Sequence, residues 1–232
     1  MMIYIGMDDT DNLESRGTGT LSRTIATELS KKYPVSAVTR HQLLKHTDIP
    51  FTTHNSCSVL HVDLGPEHVE ELYESVKKEM MDDFIEGSDP GIFAAHHTQL
   101  TPALVAFGQD AKAIILTQGR ARALARNHNL PLEGLGGTED GVIGAVAGVG
   151  LAGAGDDGRF LRLGAKDLRG TYSVEELLNH GVDAIYTVEG IPITEGTIYN
   201  KEDKLVRLCP LNGHVVLFVE ERDGKFWNVS RG

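Results

Sequence analysis

The chain has 232 residues, and its 22 Lys plus Arg against 33 Asp plus Glu give a formal net charge of −11. Hydrophobic residues make up 41% and charged residues 24%, which is ordinary for a globular chain and excludes an intrinsically disordered or fibrous class. The acidic balance also argues against a protein that binds nucleic acid mainly through phosphates, because Lys and Arg must replace the condensed counterions.

Cysteine usage and hydropathy predict the cellular compartment of the protein. Cys57 and Cys209 stand far apart and outside any C-x-x-C pattern, which excludes a zinc ribbon and is typical of a reducing compartment. The chain shows no signal-peptide pattern, and no apolar run approaches the roughly 20 residues of a membrane span. We therefore expect a cytoplasmic protein with no membrane partner.

The first half of the chain alternates between strand and helix patterns. A short buried strand runs directly into Asp8-Asp9-Thr10-Asp11, so these carboxylates are predicted to lie at its carboxyl end. The patterns predict, in chain order, a strand over 3–7, a helix over 20–32, strands over 35–39 and 57–63, and a helix over 67–81.

Glycines punctuate the second half. We expect a strand over 91–95, a helical region over 101–127 that breaks near Gly108 and Gly119, and a helix around 142–147. The glycine-rich stretch 148–158 is predicted as a domain boundary, followed by alternating strands and a helix. The predicted fold is α/β with a mixed sheet, divided into a domain over 1–157 and a small α+β domain over 158–232.

The sharpest motif is the aspartate cluster. Three carboxylates within four residues repel one another unless a cation or strong donors share the site. Oxygen ligands on a loop at a strand end suit Mg²⁺, which takes one or two carboxylates and completes its shell with water and phosphate oxygens. The alternative is a solvated acidic loop.

A glycine and hydroxyl loop, Gly17-Thr18-Gly19-Thr20, directly precedes the first predicted helix. Free backbone N–H groups and the positive end of a helix dipole favour phosphate at such a position. Helix N-capping by Thr18 or Thr20 is the alternative. Neither segment fits the P-loop pattern or a kinase catalytic loop, so common phosphate chemistry is not indicated.

These residues resemble a known family, the archaeal agmatidine synthetase TiaS, which uses ATP to attach agmatine to a tRNA anticodon cytidine. The family opens with G-[IV]-D-D-T-D-S and then G-x-C-T-T, where this chain has Gly6 to Asn12 and Gly17 to Leu21. Two further segments follow in the same order, at 48–53 and 141–150. The resemblance implies the kinase-like module of TiaS over 1–157 and its ferredoxin-like module over 158–232, and it does not extend to the OB-fold and zinc ribbon of that family.

The resemblance implies specific roles. Asp8, Asp9 and Asp11 would be Mg²⁺ ligands or catalytic carboxylates, and Thr20 stands where the family has a threonine that becomes phosphorylated. ATP contacts would come from the hydroxyl loop and a glycine cradle, with close packing as the alternative for Gly144. The implied ATP-binding residues are Thr10, Gly17, Thr18, Gly19, Thr20, Gly141 and Gly144.

Departures from the family pattern bear on the substrate. Basic residues of the family are replaced by Glu139-Asp140, Thr52 and His54, so a tRNA substrate is not expected for this acidic chain alone. Arg16, Arg23, Arg40 and Lys45 are the remaining candidates to neutralise phosphate, with an ordinary surface role as the alternative.

Three functions follow in order of preference. The first is an ATP- and Mg²⁺-dependent phosphotransferase or ligase module that acts on an unidentified small acceptor. The second is a non-catalytic nucleotide-binding or regulatory subunit of an RNA-modifying complex, and the third is tRNA cytidine modification itself. A homo-oligomer or a partner protein stays open. His96 and His97 point to opposite faces of a strand, so they are interpreted as structural or as one ligand-facing histidine.

Overall fold

The computed structural model describes residues 1–12, 14–50, 54–164 and 167–230. Two sheets of six strands each, together with six helices, form this part of the chain. The predicted mixed α/β fold is confirmed. No helix of the described residues has both the length and the apolarity to cross a bilayer.

The first sheet contains six antiparallel strands in the order β5-β4-β1-β3-β2-β6. Its strands and the helices between them are β1 (Ile3–Asp8), α1 (Thr18–Leu29), β2 (Val35–Gln42), β3 (Ser56–Val62), α2 (Val69–Asp82), β4 (Gly91–His96), α3 (Pro102–Asp110), α4 (Gln118–Asn127), β5 (Leu132–Gly134), α5 (Gly141–Ala154) and β6 (Arg159–Leu163). Short 3-10 turns at Pro66–His68 and His97–Gln99 join the longer elements.

The two faces of this sheet bury separate cores. Period-two alternation along β1 sends Ile3, Ile5 and Met7 to the face covered by α1 and α2, where Leu21 and Leu72 meet them. The opposite face packs against α3, α4 and α5. The sheet is therefore a central layer that holds the ends of β1 and β4 between helices.

The second sheet follows in the last third of the chain. Its elements are β7 (Tyr172–Ser173), α6 (Val174–Asn179), β8 (Ala184–Thr187), β9 (Thr197–Tyr199), β10 (Leu208–Leu211), β11 (His214–Arg222) and β12 (Lys225–Val229). The order is β10-β11-β12-β9-β7, and β8 pairs in parallel with β11. Apolar side chains of α6 and the strands form a third core.

The position of a ferredoxin-like unit differs from the expectation. Such a unit has the order βαββαβ, whereas residues 167–230 contain one helix, α6, so the predicted ferredoxin-like domain is not confirmed there. The order βαββαβ occurs in β1 to β4 instead. The strand and helix patterns after residue 158 do not reveal which strands pair, so they could not test the module that the resemblance implies there.

The glycine-rich segment predicted as a linker is partly helical. Gly148, Gly150 and Gly153 lie inside α5. Because they have no side chains, neighbouring elements pack closely against this helix: a Cβ on Gly150 would lie 2.1 Å from the carbonyl oxygen of Leu104. The sharp turn comes at Gly155, whose φ is 76°. The strand β6, predicted as part of the second domain, pairs with β2 of the first sheet. We therefore propose that the first domain extends through β6.

The helical region 101–127 is divided into two helices as predicted, although the glycines themselves do not form the break. α3 ends at Asp110 and α4 begins at Gln118, so Gly108 and Gly119 both lie inside helices. Gly108 permits contact with α5, since a Cβ there would lie 2.8 Å from the carbonyl oxygen of Ala147. Gly108 therefore marks close helix packing, whereas a Cβ on Gly119 would meet nothing closer than 3.9 Å.

Candidate functional site

The aspartate loop, residues 8–11, begins where β1 ends. Asp8 is the last residue of β1 and pairs with Gly91 of β4. At Asp9 the backbone turns sharply through a left-handed conformation with φ 53°, and its carbonyl oxygen accepts a hydrogen bond from the Asp89 amide at 3.1 Å. The predicted location of these carboxylates at a strand end is confirmed.

The aspartate loop is joined to the start of α1 by hydroxyl groups. The Thr18 hydroxyl donates to Asp11 Oδ1 at 3.0 Å and lies 3.0 Å from the hydroxyl of Thr10, which donates to it. Both threonines are buried. The carboxylate motif and the glycine-hydroxyl motif, separated by residues 12–16 in the sequence, thus form one connected structure.

The N-terminus of α1 is not capped by a side chain. Gly17 is the N-cap residue and forms no side-chain cap hydrogen bond, and Thr18 already lies inside the helix. The alternative in which Thr18 or Thr20 caps the helix is therefore wrong. The first-turn N–H groups lie at the positive end of the helix dipole and are suited to an anion.

Two cavities flank the aspartate loop. The larger, about 550 Å³, is lined by Asp11 and by Gly17, Thr18, Gly19 and Thr20. The smaller, about 220 Å³, is lined by Asp8, Asp9, Asp140 and Gly144 together with apolar side chains such as Ile114 and Ile143. The predicted site residues therefore divide between two adjoining cavities.

Electrostatic crowding distinguishes the first two aspartates. Burial, followed by the charge of Asp9, raises the pKa of Asp8 to about 8. Burial raises the pKa of Asp9 to about 6, with Asp89, Asp11 and Asp140 adding to the effect. These carboxyl groups have the environment in which a cation is expected, because ionising them together is unfavourable without one.

The donor chemistry fits Mg²⁺, although the predicted three-ligand arrangement is not formed. Among the described residues, no group of three or more carboxylate, imidazole or thiolate side chains is arranged to hold a metal ion. Asp11 instead lines the larger cavity and accepts from Thr18. Mg²⁺ commonly uses only one or two carboxylates, so Asp8 and Asp9 retain a suitable oxygen set.

Gly141 and Gly144 bring α5 against the aspartate loop. A Cβ on Gly141 would lie 2.7 Å from the carbonyl oxygen of Asp8, and one on Gly144 would lie 1.7 Å from Asp8 Oδ2. Gly141 donates its N–H to the Asp89 carbonyl oxygen at 2.9 Å. These glycines therefore serve close packing around Asp8, and a direct contact with nucleotide stays a prediction.

The predicted phosphate-neutralising residues lie in different places. Arg23 and Arg40 line the larger cavity, whereas Arg16 is paired with Asp83. Sequence reasoning missed four cationic residues that complete the cavity wall: Arg159, Arg169, Lys204 and Arg207. The only local signal is the alternation in β6, which places Arg159 and Leu161 on one face.

The histidines outside this site form structural contacts. His96 Nε2 lies 3.1 Å from His97 Nδ1. His96 is the N-cap of the following 3-10 turn: its Nδ1 hydrogen-bonds the Thr98 hydroxyl, and its backbone N–H donates to the Gln99 side chain. His41 bridges Asp157 and Thr39 in a geometry that resembles a catalytic triad, but Thr39 is 0% exposed and no substrate can reach it.

The segment 48–53 contributes Asp48, Ile49 and Pro50 to the smaller cavity, and Phe51, Thr52 and Thr53 lie outside the described residues.

Comparison with solved structures identifies the fold. The chain is similar to apo TiaS, a tRNA agmatidine synthetase, with a TM-score of 0.53, 22% identity and coverage of 65% of this chain and 35% of that chain. It has a TiaS-like partial fold. A tRNA fluorescent labeling enzyme (TM-score 0.54, 23% identity, 65% and 36% covered) and the complex of TiaS with its tRNA and ATP (TM-score 0.53, 22% identity, 65% and 36% covered) are similarly related.

This chain spans about a third of the length of each of these three solved chains. No protein-family model and no curated protein sequence matches it.

Proposed function

We propose that this chain binds ATP with Mg²⁺ and acts as a phosphotransferase or ligase on a small acceptor. The observation that carries the proposal is the Thr18 hydroxyl, which ties Asp11 of the aspartate loop to the uncapped N-terminus of α1. A polyphosphate at the helix start would thereby lie next to the aspartate loop, whose Asp8 and Asp9 line the adjoining cavity and are suited to its metal. The ATP complex of TiaS, with a similar fold, supports this assignment.

The residues have distinct roles in this proposal. Asp8 and Asp9 would hold Mg²⁺, which would supply charge neutralisation to the phosphates, and Asp11 would orient the Thr18 hydroxyl. The amides of 17–19 would bind phosphate oxygens, and the Thr20 hydroxyl would be a transient phosphoryl acceptor. Positioning and charge neutralisation are the main requirements of phosphoryl transfer, and these residues would supply both.

The decisive experiment uses ATP labelled at its γ-phosphate, with Mg²⁺, and follows both phosphate release and label on the protein. We expect Asp9→Asn to abolish turnover, and Thr20→Val to abolish protein labelling if Thr20 is the acceptor. Asp82→Asn, at an exposed residue paired with Lys78, is the matched control. ATP hydrolysis that survives Asp9→Asn unchanged would contradict the proposal.

A regulatory, non-catalytic role is the second candidate. It is favoured by the carboxylates that replace basic family residues, since Glu139 is paired with Arg122 and Asp140 accepts from Gln118 at 2.7 Å. This role predicts that the wild-type chain binds MgATP without turnover in the same assay.

Modification of tRNA by this chain alone ranks third. The net charge is −11, and the chain corresponds to about a third of TiaS. Filter binding with total tRNA at moderate salt tests it, and saturable binding would reverse the ranking.

A further inference from the structure

Two arginines stand directly opposite each other on neighbouring strands. Arg40 of β2 pairs with Arg159 of β6 in the antiparallel register. Like charges at directly opposed positions destabilise a strand pair. Partial desolvation, followed by the charges of Arg40, Arg207 and Arg23, lowers the pKa of Arg159, although its side chain stays exposed to solvent. An arrangement with this cost is expected where a ligand supplies the negative charge.

The other cations of the larger cavity have protein partners. Arg23 and Arg169 share Asp167, at 4.0 and 3.2 Å, and Lys204 lies 3.3 Å from Asp203.

Three guanidinium groups of the same cavity have no such ion pair. In the part of the chain that the structure describes, no carboxylate lies within ion-pair distance of Arg40, Arg159 or Arg207, and the charge of Asp11 acts on Arg40 only from farther away. All three arginines line the larger cavity, so this part of the surface is positive in a chain whose net charge is −11. We refer to Arg40, Arg159 and Arg207 as the arginine wall.

A buried hydroxyl beside Arg40 is a second sign of a ligand site. Ser58 is 1% exposed, and its Oγ is the one buried side-chain polar atom of the described residues without a hydrogen-bond partner. Ser58 lies opposite Arg40 in the β2–β3 register, and Ser56, two residues earlier, accepts from Arg40 Nε at 2.8 Å and lines the cavity. One unpartnered hydroxyl and one hydroxyl that lines the cavity therefore lie beside Arg40.

We propose that the arginine wall binds a phosphate group of the acceptor, so that the acceptor is a small phosphorylated molecule bound separately from ATP. This rests on the proposed function, which assigns the ATP phosphates to residues 17–20. Guanidinium groups bind phosphate oxygens in pairs, and a phosphate monoester brings a charge of about −1.5 to −2 at pH 7. One cavity of about 550 Å³ would then hold both reacting groups.

The competing assignment gives the arginine wall to ATP itself. Mg²⁺ and the first-turn amides already account for the polyphosphate in the proposed function, which leaves three guanidinium charges for a second anion. The two assignments differ in one measurable respect. A second anion binds together with MgATP, whereas a shared site makes them compete.

The test is calorimetric titration of the full chain with inorganic phosphate, at constant ionic strength, with and without a saturating non-hydrolysable ATP analogue and Mg²⁺. We expect phosphate to bind in both conditions, and Arg159→Gln to weaken it about tenfold to a hundredfold. The affinity for the MgATP analogue should change by less than about threefold. Arg222→Gln, at an exposed arginine paired with Glu220, is the charge-matched control.

The variant should fold, because Arg159→Gln removes the like-charge opposition to Arg40 and is expected to keep or raise the melting temperature. Arg207→Gln tests the same site from the segment that precedes β10. Equal losses of phosphate and MgATP binding, full competition between them, or absence of saturable phosphate binding would each overturn the inference. Phosphate binding that depends on Arg159 in a protein that does not bind MgATP would defeat the proposed function and leave the anion site standing.

Discussion

The α-carbon of Gly144 lies against the carboxylate of Asp8. A Cβ at position 144 would stand 1.7 Å from Asp8 Oδ2 and 2.9 Å from Asp8 Cβ. This contact places the first turns of α5 directly beside the end of β1. The position of the Asp8 side chain is therefore decided by a helix that begins at residue 141, far along the chain.

We expect Gly144→Ala to destabilise the protein by about 1–3 kcal/mol, because the added methyl group overlaps the Asp8 side chain down to its Cβ. Denaturant unfolding measures this, and MgATP binding should weaken in parallel. Gly119→Ala is the control: its Cβ would meet nothing closer than 3.9 Å, so it should stabilise α4 by up to about 1 kcal/mol. Wild-type stability and binding in Gly144→Ala would contradict the packing argument.

Thr18→Val keeps the side-chain shape and removes the hydroxyl that links the aspartate loop to α1. We expect a loss of about 1–3 kcal/mol in unfolding free energy, since Thr10 and Asp11 each lose a partner. MgATP affinity should fall as well. Thr24→Val on the same helix removes an exposed hydroxyl bonded only to the Thr20 carbonyl oxygen and should have a small effect. Equal effects of the two variants would argue against a special role for Thr18.

His61 predicts a pH dependence of stability. Burial, followed by the nearby His41, lowers the pKa of His61 from 6.5 to about 3. Above pH 6.5 the imidazole is neutral in both the folded and unfolded states; below it, the unfolded chain binds the proton first, so stability falls towards pH 3. The loss should be on the order of 1 kcal/mol per pH unit.

His61→Gln isolates this effect. It should be less stable than wild type at pH 8, because Thr39 loses a 2.8 Å hydrogen bond, and the deficit should narrow as the pH falls below 6.5. Denaturant melts across this range give the comparison, with His214→Gln as the exposed control. A deficit that is constant with pH would show that folding does not lower the pKa of His61.

Asp157 joins a polar network that runs from the buried His41 to the exposed Lys112. Its carboxylate accepts from Lys112 Nζ at 2.5 Å and lies 2.9 Å from Nδ1 of His41, which is 0% exposed. We expect Asp157→Asn to cost about 1–3 kcal/mol at pH 7, because a partly buried, charge-assisted set of hydrogen bonds is weakened. Asp110→Asn, at an exposed pair with Arg120, should change stability by less than about 1 kcal/mol in the same melts.

Much of the candidate site could be predicted because it is local. Asp8 to Asp11 come at the end of an apolar strand, as predicted, and the helix predicted from residue 20 begins two residues earlier, so that 18–20 form the first turn of α1. What failed was the assumption that three adjacent acids face one point. The left-handed turn at Asp9 and the bond from Thr18 send Asp11 to a different cavity from Asp8.

By itself, the sequence determined the mixed α/β class, the strand that ends in carboxylates and the helix that begins with glycine, since these follow from residue periodicity over a few turns. Only the tertiary structure decided that β6 joins the first sheet and sets Arg159 opposite Arg40, about 120 residues apart, and that glycines of α5 touch Asp8. Strand pairing and backbone contact between distant segments depend on which surfaces bury each other in three dimensions. Local patterns do not encode that choice.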